Sequence, residues 1–140
     1  MAEFTNIALI TVVQGETVPF TETPVKGTNC IVHREGSGNV KLRGITNQCR
    51  ARFLVSYSGN IQIPADGTVE AISLAIALDG EPLQSTRMIV TPAAVGNLWN
   101  VSAQVYVDVV KNCCSTVAVQ NTSAQSIEVQ NSNLIVTREA

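Results

Sequence analysis

The stretch Val69-Glu-Ala-Ile-Ser-Leu-Ala-Ile-Ala-Leu-Asp-Gly-Glu-Pro-Leu83 carries the clearest pattern in the chain. Between residues 71 and 78, large aliphatic side chains alternate with alanine or serine, which is the two-residue period of a β-strand. A surface strand would place polar residues opposite its apolar ones, but here the opposite side chains are merely small. We therefore expect both faces to be covered. The large face fills a core, and the small face admits a close neighbour, which is a second sheet, a loop or another subunit.

Short apolar segments separated by turn residues continue on both sides of this stretch. Gly36-Ser37-Gly38 predicts a hairpin between residues 30–35 and 39–43, because glycine accepts the positive φ values of a tight reversal. Asp79-Gly80 predicts a second hairpin, and Ser58-Gly59-Asn60 a further turn. The other extended segments are residues 7–13, 17–21, 49–57, 61–63, 82–90, 101–110, 115–121, 127–130 and 133–137, and residues 92–97 hold one helical turn.

This regular spacing of short strands, without a helical period, predicts an all-β fold. An antiparallel β-sandwich or barrel is the usual architecture for such a pattern. At 140 residues the chain is long enough for one domain only. We expect residues 1–6 to form an N-terminal extension and residues 7–140 to form the domain.

Charge and hydropathy exclude two classes of partner. The formal net charge is -2, whereas a general nucleic-acid surface needs a clustered basic excess. The amino terminus carries an acid instead of the basic segment of a secretory signal. No window approaches the ~20 apolar residues of a membrane span. We therefore expect neither nucleic acid nor membrane as a partner.

The four cysteines are too irregularly spaced for a recognisable metal site. They include no Cys-x-x-Cys pair, and the single histidine, His33, stands apart from them. We expect reduced, buried cysteines that pack as small hydrophobes, with disulfides or a metal as the alternatives. Three pairings are open if all four are oxidised. These residues are Cys30, Cys49, Cys113 and Cys114.

His33 is the one candidate for acid–base chemistry, since Arg34 and Glu35 follow it. Neighbours along a strand point to opposite faces, which favours a polar cluster at a strand end. No Gly-x-Ser-x-Gly elbow, paired carboxylates or phosphate loop accompanies it. The sequence therefore predicts no catalytic, cofactor-binding or metal-binding residues, and a protein that is not an enzyme.

Two further groups of side chains could serve binding. A basic group within one hairpin region could contact an acidic partner or pair across subunits, although a solvated face is the simpler interpretation. Trp99 and Tyr106 could line a sugar-binding surface, although a core or interface position is more typical of a single tryptophan. The basic group consists of Arg34, Lys41, Arg43, Arg50 and Arg52.

Three segments together resemble the tumour necrosis factor-like jelly roll, the fold of the globular heads of complement-type collagens and collagen-like spore-surface proteins. Arg52–Tyr57 is similar to an aromatic-containing strand of that family, and Leu74–Leu83 to its strand that ends in an Asn-Gly or Asp-Gly hairpin. Asn133–Arg138 is similar to its final buried strand. The likeness spans residues 7–138 and implies a jelly-roll topology. Because the family characteristically packs about a threefold axis, it also implies a homotrimer.

The chain shows no Gly-x-y stalk like that of the collagen-bearing relatives. A domain of this kind also resembles small proteins encoded among phage structural genes. The resemblance implies a non-enzymatic virion protein, a capsid decoration or head-fibre-type homotrimer that assembles in the bacterial cytoplasm. Its partners would be copies of itself and the major capsid protein or other virion components. The alternative is a trimeric receptor- or carbohydrate-binding module, of tail-fibre-tip or spore- or cell-surface type, with a glycan as ligand.

Overall fold

A computed structural model describes residues 1–140 as an all-β chain. The only helical element is a three-residue 3-10 turn at Gln84–Thr86. The strands are β1 Ala2–Asn6, β2 Ile10–Val12, β3 Glu22–Val25, β4 Ile31–His33, β5 Val40–Arg43, β6 Arg50–Gln62, β7 Ile72–Leu78, β8 Glu81–Pro82, β9 Met88–Val90, β10 Trp99–Val110, β11 Cys114–Asn121 and β12 Ile127–Arg138. No helix has the length and apolar character needed to cross a membrane.

The strands form two six-stranded antiparallel sheets. Sheet 1 has the order β10-β6-β12-β1-β3, with β2 also paired to β12. Sheet 2 has the order β4-β5-β11-β7-β8, with β9 also paired to β7. Several neighbours are far apart in sequence, so the chain passes repeatedly from one sheet to the other. The predicted antiparallel β-sandwich is confirmed.

One continuous core lies between the sheets. It is a single cluster of 28 buried residues contributed by strands of both sheets and by segments between them. On β10 the inward residues Val101, Val107 and Val109 are buried and alternate with exposed ones, as the period of a half-buried strand requires. The largest fully buried side chains include Phe4, Phe20, Phe53, Tyr57, Leu74 and Ile76.

Strand β7 is buried on both faces, as its alternation predicts. On the small face, Ser73 and Ala75 are each 1% exposed and Ala77 is 2% exposed within a single chain. The backbone N–H of Ser73 donates to the Ser123 hydroxyl at 2.8 Å, and the two hydroxyls of Ser73 and Thr122 lie 2.6 Å apart. A loop of the same chain is therefore the close neighbour of Ser73, and one chain is enough to cover this face.

The edge of β7 is completed by a threonine hydroxyl. Strand β8 pairs with residues 77–78 and β9 with residues 72–74, which leaves Ile76 without a strand partner on that side. The N–H of Ile76 donates to Thr86 Oγ1 at 2.9 Å, and this hydroxyl donates to the Leu83 carbonyl at 2.7 Å. The 3-10 turn places Thr86 there, where it is 2% exposed.

Both predicted hairpins form. Strands β4 and β5 pair across the Gly36-Ser37-Gly38 reversal, in which Gly36 has φ +89°. Strands β7 and β8 pair across Asp79-Gly80, whose φ values of 52° and 87° are both in the left-handed region. Two consecutive positive φ values are the requirement of a type I′ turn, which Asp-Gly meets at low cost.

The turn predicted at residues 58–60 is wrong, because β6 runs without interruption from Arg50 to Gln62. Gly59 has a packing role within the strand. A Cβ atom there would lie 2.5 Å from the Tyr57 hydroxyl oxygen, so only glycine leaves room for that hydroxyl. The hydroxyl is buried and lies 3.0 Å from Ser132 Oγ on β12.

The first strands also differ from expectation. Residues 1–6, predicted as an extension, contain β1, which pairs with β12 and β3 and buries Ala2 and Phe4 in the core. The segment 7–13, predicted as a buried strand, is ordered as β2 over Ile10–Val12 only, and Ile7 and Val13 are 65% and 55% exposed. Burial of these segments depends on their pairing with β12, the last strand of the chain. The hydropathy of a short segment does not predict that pairing.

Two smaller differences concern the end of the chain and the helical turn. The segments 127–130 and 133–137 form one strand, β12, whose register shifts around Asn131 at φ 56°. Such an irregularity lets a strand continue past an unpaired residue. The helical turn lies at Gln84–Thr86 and not within residues 92–97.

Replacement of Thr86 tests the edge of β7. We expect Thr86→Val to lower the free energy of unfolding by about 1–3 kcal/mol, because it leaves the buried N–H of Ile76 without an acceptor. Thr86→Ser keeps the hydroxyl, so its free energy of unfolding should fall less than that of Thr86→Val. Urea unfolding of the three proteins provides the measurement, and equal midpoints for Thr86→Val and the wild type would contradict the assignment.

The stability of the folded chain should fall at alkaline pH because Tyr57 is buried. Burial raises the pKa of Tyr57 to about 12, and the Ser132 hydrogen bond offsets only part of that rise. The unfolded chain ionises Tyr57 near pH 10, so the stabilisation is complete below about pH 10 and declines by up to about 3 kcal/mol as the pH approaches 12. Denaturant unfolding as a function of pH should show this decline in wild type and in Tyr106→Phe, but not in Tyr57→Phe. A similar decline in Tyr57→Phe would show that Tyr57 is not its source.

Candidate functional site

The outer face of sheet 1 is built from residues that alternate with the core residues of β10, β6, β12 and β1. Because inward side chains of these strands are held in the core, the alternate positions must point away from it. Two cross-strand rows lie at its centre. One runs from Tyr106 through Leu54 to Thr137, and the next contains Gln104, Ser56, Ile135 and Glu3.

Three apolar side chains lie near the centre of this face, on the three neighbouring strands β10, β6 and β12. Tyr106 lies directly opposite Leu54, and Ile135 lies in the adjacent row. Tyr106 is 63% exposed, whereas Leu54 and Ile135 are half-buried. Direct and diagonal cross-strand neighbours are close enough for side chains of this size to touch. The chain therefore presents an apolar group on a sheet face that would be polar if it faced only water.

On the side away from Arg52 and Asp108, the surroundings of this apolar group are polar but uncharged. We consider the outward residues of β10, β6 and β12 from the Leu54 row to the Asn60 row. Apart from the three apolar residues, all of them are serine, threonine, asparagine or glutamine. The nearest carboxylate on the neighbouring strand, Glu3, accepts a hydrogen bond from the Asn133 amide at 2.6 Å. Depletion of charge is the compositional mark of the centre of a protein interface.

A group of three charged side chains begins in the row next to Tyr106 and Leu54. Asp108 accepts two hydrogen bonds from the Arg52 guanidinium, at 2.8 and 3.1 Å, and lies 3.2 Å from Arg50 Nε. The hydrogen bond from Arg52 holds the pKa of Asp108 below its usual range, and the same pair raises the pKa of Arg52. Asp108 therefore compensates one of the two positive charges and contacts both arginines.

Comparison with known proteins shows which solved structures have a similar fold. No protein-family model matches the chain, and no curated protein matches its sequence. Among solved structures, Eiger TNF from S. frugiperda aligns with a TM-score of 0.69 at 12% identity, over 99% of this chain and 91% of that one. Murine APRIL gives 0.62 at 9% identity, over 97% and 98% of the two chains. The globular domain of zebrafish complement 1qA protein gives 0.58 at 10% identity, over 96% and 94%.

The chain has the tumour necrosis factor-like jelly-roll fold. The resemblance read from three sequence segments is thereby confirmed at the level of the fold. Identities of 9–12% carry no residue-level correspondence, so the site must be argued from the geometry of this jelly roll alone.

His33 has a packing position in the jelly roll. Its Nε2 donates to the Ser37 carbonyl at 2.8 Å, within the hairpin that the glycines close. The ring centroid lies 4.6 Å from that of Phe4 and 6.3 Å from that of Phe20. No carboxylate contacts the imidazole, and its buried Nδ1 has no hydrogen-bond partner in the chain. The geometry therefore supplies His33 with no acid or base partner.

The two aromatic residues considered for sugar binding do not form one surface. Trp99 and Tyr106 are both on β10, but seven residues apart, which is about 23 Å along a strand. An odd separation also directs the two side chains to opposite faces. Trp99 is 49% exposed at the beginning of the strand, so it is not a core residue.

The basic group predicted from one hairpin region is divided between the two sheets. Arg50 and Arg52 belong to the outer face of sheet 1, where Asp108 pairs with them. Lys41 and Arg43 are exposed positions on β5 of sheet 2, and neither forms an ion pair. The sequence grouped these residues because they are near in number, whereas the loop between β5 and β6 carries them apart.

The four cysteines lie near the end of the jelly roll at which the loop from β5 to β6 meets the turn from β10 to β11. All four are free. The expectation of buried cysteines is correct for Cys30 and wrong for the other three, which are exposed: Cys49, Cys113 and Cys114. No group of three or more histidine, cysteine, aspartate or glutamate side chains is placed to hold a metal ion.

Sequence reasoning missed the apolar group on the outer face of sheet 1. Its signal was present in β6, where Leu54 stands in line with Arg52 and Ser56 on the polar side of the alternation. A lone outward leucine is common on protein surfaces, so the pattern alone did not mark it. Only the register with Tyr106 and Ile135 turns it into part of a cluster.

The Arg52–Asp108 pair can be tested by titration. We expect Arg52→Gln to raise the pKa of Asp108, because it removes the hydrogen bond that favours the carboxylate. Arg50→Gln should raise it less, since Arg50 contributes only electrostatic attraction. Carboxyl carbon NMR shifts measured against pH report both values, and an unchanged Asp108 midpoint in Arg52→Gln would contradict the pairing.

Proposed function

We propose that this jelly roll is a non-enzymatic structural protein that assembles as a homotrimer through the outer face of sheet 1. The observation that carries the proposal is the apolar group of Leu54, Tyr106 and Ile135, which is bordered on one side by rows of uncharged polar residues. The tumour necrosis factor-like fold supports the same conclusion, because the resemblance implies packing about a threefold axis.

The side chains around the apolar group favour close approach by another chain. Serines at positions 56, 58 and 102 are short, so a partner can pack against the sheet without displacing long flexible side chains. Burial of uncharged groups also avoids the desolvation cost of unpaired charges. Removal of water from such a face costs little free energy, and burial of its apolar centre makes association favourable.

A closed threefold ring brings two different surfaces of each chain together at every interface. The jelly roll has a second exposed apolar group at the beginning of β10. Its members are Val95, Leu98 and Trp99, which are 41%, 45% and 49% exposed. In the proposed trimer this group of one chain lies against the outer face of sheet 1 of the next.

We place the homotrimer in a phage virion, as a capsid decoration or head-fibre-type protein whose partner is the major capsid protein or another virion component. This placement rests on the sequence alone, which resembles small proteins encoded among phage structural genes. Co-sedimentation with shells of the capsid protein encoded nearest to its gene tests the placement. Binding in multiples of three is the expected result, and a gene without structural neighbours would count against it.

The oligomeric state is the direct test of the assembly. We expect a mass three times the 14.9 kDa of one chain, by light scattering at micromolar concentration. Tyr106→Asp should yield monomers, because it places a charge at the centre of the interface. Ile89→Asp, at a residue 56% exposed on β9 of sheet 2, is the matched control and should remain trimeric.

Tyr106 and Ile89 are both exposed in one chain, so neither variant should unfold it, and circular dichroism checks this. A monomeric wild type would refute the trimer. A trimeric Tyr106→Asp would leave the trimer standing but would refute the face that we assign to it.

A further inference from the structure

One end of the sandwich holds a cavity of about 660 Å³ that the proposed assembly does not use. It lies where the loop from β5 to β6 meets the turn from β10 to β11 and the end of β12. Its polar lining comes from Arg43, Thr46, Asn47, Gln48, Asn112 and Arg138. These residues are distant in sequence, so the fold alone creates the cavity.

The charged side chains that line this cavity are all positive. Arg43 and Arg138 both line it, and no aspartate or glutamate does. Neither arginine forms an ion pair anywhere in the chain, in contrast to Arg50 and Arg52, which share Asp108. The whole chain has a formal charge of -2, so two unpaired guanidinium groups in one cavity depart from the average surface. An anion is the ligand that such a site favours.

Arg138 is held in place by the backbone around the cavity. Its Nη1 donates to the Ile45 carbonyl at 2.6 Å and lies 2.9 Å from Cys30 Sγ, and its Nε donates to the Ala140 carbonyl at 3.2 Å. Its Nη2 makes no hydrogen bond within the chain, and neither does the Arg43 guanidinium. One fixed and one free guanidinium therefore retain donors for a ligand, and the fixed one needs little further ordering.

The uncharged lining suits hydroxyl groups. The amides of Asn47, Gln48 and Asn112 each offer two donors and an acceptor, which can hydrogen-bond to hydroxyls in either direction. No aromatic residue lines the cavity, so it offers no stacking surface for an apolar ring. Its volume falls within the range of about 300–1,000 Å³ typical of small-molecule sites and is larger than a lone inorganic ion needs.

We propose that this cavity binds an anionic saccharide, a sugar that carries a carboxylate, sulfate or phosphate group. Arg43 and Arg138 bind the anionic group, and the amide side chains hydrogen-bond to the sugar hydroxyls. One chain supplies every lining residue, so the site does not require the homotrimer. The two proposals can therefore fail separately.

The ligand test compares sugars that differ only in charge. Isotope-labelled protein is titrated with glucuronic acid, glucose 6-sulfate and glucose 6-phosphate, with glucose as the neutral control and inorganic phosphate and sulfate as the bare-ion controls. We expect at least one anionic sugar to shift the amide resonances of residues 44–48 and 112–113, and this shift to weaken as salt is added. No response to any anionic sugar, or equal affinity for the sugar and its bare ion, would overturn the proposal.

Variants then locate the binding. Arg43→Gln should weaken the binding of the responding sugar about tenfold or more, since it removes a charge-assisted contact. Lys41→Gln is the matched control, because Lys41 is exposed on the same strand but does not line the cavity. Arg43 is also exposed, so melting temperatures should be unchanged in both. An equal loss of sugar affinity in the two variants, or no loss of affinity in Arg43→Gln, would refute the assignment of the site.

Discussion

The pairing of β6 with β10 on one side and β12 on the other is the constraint on which the functional surfaces depend. The inward residues of β6, among them Phe53, Val55 and Tyr57, are fully buried in the core between the sheets. A slip of one residue would exchange the two faces of the strand, so this burial also fixes which residues point outward. The apolar group on the outer face of sheet 1 exists because three strands keep this register together.

The same register determines where charge is neutralised and where it is left free. It places Asp108 of β10 opposite Arg52 of β6, where the carboxylate pairs with Arg52 and also contacts Arg50. Arg138 follows the core residues of β12 and lies at the end of the sandwich, in a cavity that no aspartate or glutamate lines. The molecule therefore separates a face with an apolar centre, suited to a protein, from a positively charged cavity suited to a small anion.

Sequence patterns predicted most of this fold where neighbouring residues carried the information. The alternation in residues 71–78 predicted a strand buried on both faces, and Asp79-Gly80 predicted its hairpin. The same reasoning failed at Gly59, which resembled a turn residue, although its lack of a side chain makes room for the Tyr57 hydroxyl. It failed also at residues 1–6, because β1 is short and is ordered by β12 at the far end of the chain.

By itself, the sequence determined most of the strands, the two glycine-containing hairpins and which side chains of a strand share a face, because these properties follow from the two-residue period and from the φ preferences of adjacent residues. Only the tertiary structure decided which strands are neighbours. That choice brings Tyr106 beside Leu54, closes a loop over Ser73 and places Arg43 and Arg138 in one cavity. Each of these contacts joins residues distant in the chain. Such pairings are selected by the burial of one core shared by the whole chain, and a short segment does not contain that information.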